Sequence, residues 1–121
     1  MTEAPLLLVV DDDPSVLLLV DVLAEKMGFR VKAVSNGLQA LEHLRDGLRP
    51  SVILLDIMME RIDGLTFLNH LREMPSLEHT PVVAMSTAAV LDRYGEKLQV
   101  SGTLLKPITA PTLSQALAQY R

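Results

Sequence analysis

SVILLDIMMERIDG, Ser51 to Gly64, is the stretch on which the reading of this chain turns. It opens with four apolar residues, Val52 to Leu55, presents one carboxylate at Asp56, and runs through a loop to Asp63-Gly64. A short apolar run bounded by turn residues reads as a strand buried on both faces. A carboxylate is a poor core residue at the C-terminal end of such a strand. It is well placed as a functional one, because open parallel α/β sheets bind ligands outside the carboxyl ends of their strands.

The same pattern recurs along the chain. Leu6 to Val10 (LLLVV) is a second buried-strand run, followed at once by Asp11, Asp12, Asp13 and Pro14. Proline suits the first position of a helix and acidic residues suit its N-terminal dipole. One aspartate would satisfy that capping role; three directly after a strand exceed it. A helix is predicted from about Pro14 to Met27, closed by Gly28, with Val16, Leu19, Val20, Leu23 and Met27 as its core stripe. Leu17, Leu18 and Val22 lie off that stripe. Arg30 to Val34 reads as a strand, Asn36-Gly37 as a turn, and Leu38 to Arg45 as a helix with Leu41 and Leu44 inward.

Beyond the opening stretch, a helix is expected over Leu65 to Met74, with Leu65, Leu68 and Leu71 on one face. Pro81 to Met85 reads as a strand ending in Ser86-Thr87. A weaker helix follows over about Val90 to Leu98, using Leu91, Tyr94 and Leu98. Gly102 to Leu105 is a short strand ending in Lys106-Pro107, and a last helix spans about Pro111 to Tyr120 around Leu113, Ala116 and Leu117. Five β-α units in alternation imply an α/β fold: a five-stranded parallel sheet, doubly wound, with right-handed crossovers. The flavodoxin-like strand order 2-1-3-4-5 is one of the two common solutions, and its switch point falls between the strands that end in Asp11-Asp12 and in Asp56.

Composition narrows the function classes. The 121 residues make one domain, large enough to fold without a disulfide or structural metal. There are no cysteines, which excludes thiol chemistry and zinc-thiolate sites and suits the cytoplasm. Eleven basic against fifteen acidic residues give a net charge of −4 with no basic cluster, which argues against direct nucleic-acid binding. No apolar run approaches the roughly 18 residues of a membrane span. His43, His70 and His79 share no metal-binding spacing and read as surface residues.

In a parallel sheet all strand ends point one way, so Asp11, Asp12, Asp56, Ser86 or Thr87, and Lys106 can share one pocket. Each has a bland reading alone: a helix cap for Ser86, a solvated lysine for Lys106, a turn for Asp63-Gly64. Together they are a chemical set. Three clustered carboxylates raise one another's pKa, and a hard divalent cation removes the conflict. Oxygen-only ligands point to Mg²⁺, with Mn²⁺ or Ca²⁺ as substitutes. A carboxylate nucleophile, the cation, a lysine and a hydroxyl make a site for phosphoryl transfer to Asp56.

At this point the chain resembles the receiver domains of two-component response regulators, the CheY-like superfamily, over its whole length. The carriers are VVDDDP (Val9 to Pro14), LLDIMMERIDG (Leu54 to Gly64), PVVAMSTA (Pro81 to Ala88) and LLKPI (Leu104 to Ile108). The resemblance implies that Asp56 is the phosphoacceptor and that Asp11 and Asp12 hold Mg²⁺, one directly and one through water. It makes the backbone carbonyl of Met58 a further ligand and pairs Lys106 with the phosphoryl group. Ser86, five residues after Pro81, becomes the switch hydroxyl, with Thr87 as the alternative, and the Lys106-Pro107 bond becomes cis. The implied partners are a histidine kinase or histidine phosphotransfer protein and an unidentified downstream protein or output domain; a homodimer stays open. Such a domain catalyses only its own phosphorylation and dephosphorylation.

The departures from the family pattern shape further expectations. Glu60 stands where the family usually has proline. Thr103 stands where an aromatic output switch is common, and the segment from Ser86 to Lys106 is about two residues short. Output is therefore expected to run through backbone rearrangement between Thr87 and Gly102. Met58 and Ala88 occupy the positions that help orient the hydrolytic water in receivers, and neither side chain can hold water by a strong hydrogen bond, so slow dephosphorylation is expected. Leu17, Leu18 and Val22 are expected to form the phosphodonor's docking face. The competing readings are a pseudo-receiver acting as a constitutive protein-interaction module, which the complete Asp11/Asp12/Asp56/Lys106 set disfavours, and a small flavodoxin-like carrier, which lacks a phosphate loop after the first strand.

Overall fold

The computed structural model describes residues 3–59, 62–94 and 98–121. Strand and helix alternate along it: β1 (Leu6–Val10), α1 (Pro14–Lys26), β2 (Arg30–Val34), α2 (Gly37–Arg45), β3 (Val52–Asp56), α3 (Gly64–Glu73), β4 (Val82–Ser86), α4 (Ala88–Tyr94), β5 (Gly102–Leu105) and α5 (Ala110–Leu117), with a 3-10 turn at Ala118–Tyr120. The sheet is parallel throughout, in the order β2-β1-β3-β4-β5. This is the expected flavodoxin-like (βα)5 arrangement. Among the described residues no helix is long and apolar enough to cross a membrane.

The runs LLLVV, VILLD and VVAMS become the three inner strands because every one of their side chains is buried. The period of two then deals their residues to two cores. Leu8, Val10, Ile53, Leu55, Val82 and Ala84 meet α2 and α3 through Leu41, Leu44, Phe67, Leu68 and Leu71. Leu7, Val9, Val52, Leu54, Val83, Met85 and Leu104 meet α1 and α5 through Val20, Ala24, Leu113 and Leu117. The edge strands β2 and β5 are exposed or half-buried along most of their length, and each buries a single residue, Val34 and Leu104.

Several boundaries and one stripe differ from expectation. On α1, Leu19 is 40% exposed, while Leu17 packs against the core and Val20 and Ala24 are buried. The sequence VLLLVDVL is apolar almost all round, so it defines no unique stripe, and contacts with β2 and α5 choose the face. α4 spans Ala88–Tyr94 rather than Val90 to Leu98 and buries none of its residues. Leu98 is buried beyond the helix instead. β4 includes Ser86, one residue past the expected end, and Phe67 on α3 is an unforeseen core residue at 0% exposure. Glu60, where the missing proline was noted, lies outside the described residues, as do residues 95–97 of the segment between Thr87 and Gly102.

Candidate functional site

Strand parity assembles the site. Val9, Leu54 and Leu104 all face the α1/α5 core, so two residues further on Asp11, Asp56 and Lys106 emerge on that same side at the carboxyl edge. The register pairs Val10 with Leu55, which sets Asp11 beside Asp56 on adjacent strands. Lys106 comes from β5, across β4, and its backbone N–H donates to the Ser86 carbonyl at 2.9 Å.

The aspartate triplet divides its labour. Asp13 is the cap: its Oδ1 accepts from the Ser15 backbone N–H at 2.9 Å and from the Ser15 hydroxyl at 2.7 Å, with Pro14 opening α1. Those hydrogen bonds, the hydroxyl's first, hold the Asp13 carboxyl below its ordinary value. Asp11 turns inward, fully buried, and its Oδ1 accepts from the Asp13 N–H at 2.9 Å. Asp12 is exposed, and carboxylate oxygens of Asp11, Asp12 and Asp56 lie within 4.8 Å of one another. The three histidines take no part in this cluster.

Lys106 Nζ sits 2.8 Å from Asp11 Oδ2 and 3.4 Å from Asp56 Oδ2. Burial pulls the lysine down, but the two carboxylates outweigh it and hold the ammonium above its ordinary value. Asp56 is 3% exposed. Desolvation first, and then the Asp11 charge, push its carboxyl up to about 6; Lys106 and the Met58 backbone N–H, 3.2 Å from Oδ1, only partly offset them.

The residues present fit a hard divalent cation. Asp11 Oδ2 is buried and accepts no hydrogen bond of good geometry; the nearby ammonium supplies charge without completing its coordination. With Asp12 and Asp56 it forms an all-oxygen donor set, the kind Mg²⁺ takes.

The hydroxyl candidates separate cleanly. Ser86 ends β4 at 3% exposure, while Thr87 is exposed outside the strand. Met58 is 57% exposed and follows directly on the buried Ile57. Asp63, read as a turn residue, caps α3 by accepting from the Thr66 N–H at 2.9 Å. Gly64 donates to the Ile57 carbonyl at 3.0 Å, and a Cβ there would come within 2.8 Å of the Ile57 Cα, so glycine is what lets the loop close under the site. Gly37 plays a similar part that the sequence reading missed: a Cβ there would collide with Ile62, so the start of α2 abuts the loop after Asp56. The Lys106-Pro107 peptide is cis, as the resemblance implied.

Known proteins match this arrangement. The family described as response regulator receiver domain matches residues 7–118. The transcriptional regulatory protein ZraR of Klebsiella oxytoca is 37% identical over 123 residues, covering 95% of this chain and 27% of that protein. The sensor histidine kinase GacS of Pseudomonas protegens is 33% identical, covering 98% of this chain and 13% of its own length. The chain thus spans about a quarter or less of these relatives, whereas the response regulator DivK of Brucella anthropi, 30% identical, is matched over 93% of both. Among solved structures, the chemotaxis protein CheY4 of Vibrio cholerae superposes with a TM-score of 0.86 at 25% identity, over 98% of this chain and 99% of that one. The receiver domain of sensor histidine kinase PA1611 from Pseudomonas aeruginosa, which carries a magnesium ion in its active-site cleft, shares the fold at a TM-score of 0.87 and 22% identity, over 97% of each chain. The strand order, the acidic cluster at the carboxyl edge and a family match spanning nearly every residue lead to one conclusion: the chain belongs to the response regulator receiver domain family of two-component systems.

Proposed function

We propose that the chain accepts a phosphoryl group on Asp56 from the phosphohistidine of a histidine kinase or histidine phosphotransfer protein, and that this controls a downstream protein or output domain. The observation that carries the reading is the clustering of the Asp11, Asp12 and Asp56 carboxylates within 4.8 Å beneath the Lys106 ammonium. An oxygen of Asp56 forms the new bond to phosphorus as the donor's P–N bond breaks, and the departing imidazole takes its proton from solvent. Asp11, Asp12, Asp56 and the Met58 carbonyl are the ligands assigned to Mg²⁺, or Mn²⁺ in its place, which supplies positive charge for the transferring phosphoryl oxygens. Lys106 supplies the second positive charge from the β5 side. Ser86, buried at the end of β4, is the hydroxyl assigned to donate a charge-assisted hydrogen bond to the phosphoryl group.

On this reading the chain is no enzyme toward other substrates; it promotes only its own phosphorylation and dephosphorylation. It works in the cytoplasm, where ATP-dependent kinases hold their phosphoryl groups. The test is incubation with acetyl phosphate, followed by intact mass. A gain of one phosphoryl group with Mg²⁺ and none with chelator supports the reading; no gain under either condition overturns it.

A further inference from the structure

We infer that Met58 is a peroxide-reactive site through which oxidation shortens the life of the phosphorylated state, an inference that rests on the function proposed for Asp56. Met58 is the one exposed methionine among the described residues, at 57%; Met59 and Met85 are buried and Met27 and Met74 half-buried. A thioether is attacked where oxidant reaches it, so exposure sets the order of reaction. The chain has no cysteine to compete for the oxidant.

Position gives that reactivity a consequence. The Met58 N–H lies 3.2 Å from Asp56 Oδ1, so this is the residue whose main chain touches the phosphoacceptor. Its unbranched side chain lines an open cavity of about 210 Å³ with Ile57, Met59, Asp63, Leu65 and Tyr94. At this exposure the flexible side chain is free to change rotamer, while the backbone contact keeps its root beside Asp56. As a thioether it holds water weakly. The sulfur attacks one oxygen of a hydroperoxide: the S–O bond forms as the O–O bond breaks, the sulfur loses two electrons, and the other oxygen leaves as alcohol or water. The sulfoxide oxygen is a strong acceptor. It gives water a strong hydrogen-bonding foothold beside the acyl phosphate, where the unmodified Met58 side chain offers only a weak one.

The experiment treats the full chain with limiting hydrogen peroxide, maps oxygen incorporation by peptide mass, and follows acyl-phosphate decay before and after. The first oxygen should enter at Met58, ahead of Met27, Met59, Met74 and Met85. The oxidised protein should lose its phosphoryl group several-fold faster, and a pair of thiol-dependent methionine sulfoxide reductases, one for each sulfur epimer, should restore the original decay. In Met58→Leu, peroxide should leave that variant's own decay unchanged. First oxidation at another of these methionines, unaltered decay once Met58 is oxidised, or equal acceleration in Met58→Leu each overturns the inference. If the untreated protein takes up no phosphoryl group, the proposed function falls and the consequence drawn for the sulfoxide falls with it, while the map of reactivity still stands.

Discussion

Lys106 lies closer to Asp11 than to Asp56, 2.8 Å against 3.4 Å. In the unphosphorylated protein its first task is therefore to neutralise a carboxylate that has no access to solvent. Removing one partner of a buried pair leaves an uncompensated charge, which costs several kcal/mol when both partners are deeply buried. Lys106 retains partial solvent access at 24% side-chain exposure, which reduces that figure. Lys106→Met should lower metal-free stability by about 2 kcal/mol in urea unfolding, and millimolar Mg²⁺ should restore much of the loss. Equal stability of the two proteins in chelator would contradict the assignment.

The raised Asp56 pKa makes a prediction with a definite sign. Its folded value of about 6 exceeds its ordinary 3.8, so the folded state binds the proton more tightly than the unfolded one. The associated stability is fully present below about pH 4 and is lost as pH rises through about 6. Metal-free protein should therefore weaken between pH 5 and pH 7 by about 1 kcal/mol. Asp56→Asn should flatten that slope, as should saturating Mg²⁺. A wild-type slope unchanged by the substitution would show that another group is responsible.

The exposed face of α1 carries Leu18 at 67%, Val22 at 44% and Leu19 at 40% exposure. Leu17, expected on this face, packs against the core instead, and Leu19 takes its place. On the proposed function, an apolar cluster on the helix that starts directly after Asp11, Asp12 and Asp13 suits contact with the phosphodonor. Leu18→Asp should slow transfer from a partner kinase by tenfold or so while acetyl phosphate labels the variant as well as wild type. Equal loss with both donors would indicate misfolding rather than lost docking.

What the sequence discloses and what it hides have a common cause. Strands buried on both faces must be written in continuous apolar letters, so LLLVV and VILLD were readable, and the polar residue ending each run stood out against them. The switch-point geometry followed from alternation alone, and it set Asp11 beside Asp56. The face of α1 was not readable, because Val16 to Val20 is apolar on every side and only packing against β2 and α5 selects Val20 and Ala24. The bounds of α4 were hidden for the opposite reason: with no buried residue it carries no periodic signal of its own. Gly37 gave no sign of its role, since the Ile62 side chain that forbids a Cβ there lies 25 positions away in the chain.

That weak α4 is also the expected moving part. It begins one residue after Ser86, across Thr87, and the far end of its segment is tied down: Arg72 donates to the Gln99 carbonyl at 3.3 Å, and to those of Thr80 and Glu78 at 2.9 and 3.0 Å. Drawing the Ser86 hydroxyl toward a phosphoryl group should therefore shift the stretch between Thr87 and Leu98 against a fixed Gln99. Amide hydrogen exchange with beryllofluoride, an acyl-phosphate mimic, should change in that stretch and little in β5. Thr103, exposed and small, should matter little, so Thr103→Ala should preserve the response. Unchanged protection after Thr87, or loss of the response in Thr103→Ala, would contradict this route.

The central claim is that Asp56 alone receives the phosphoryl group. Intact mass after acetyl phosphate and Mg²⁺, measured side by side for wild type and Asp56→Asn, tests it most directly. The account predicts one phosphoryl group per chain in the wild type and none in the variant. An equal mass gain in both proteins would contradict it.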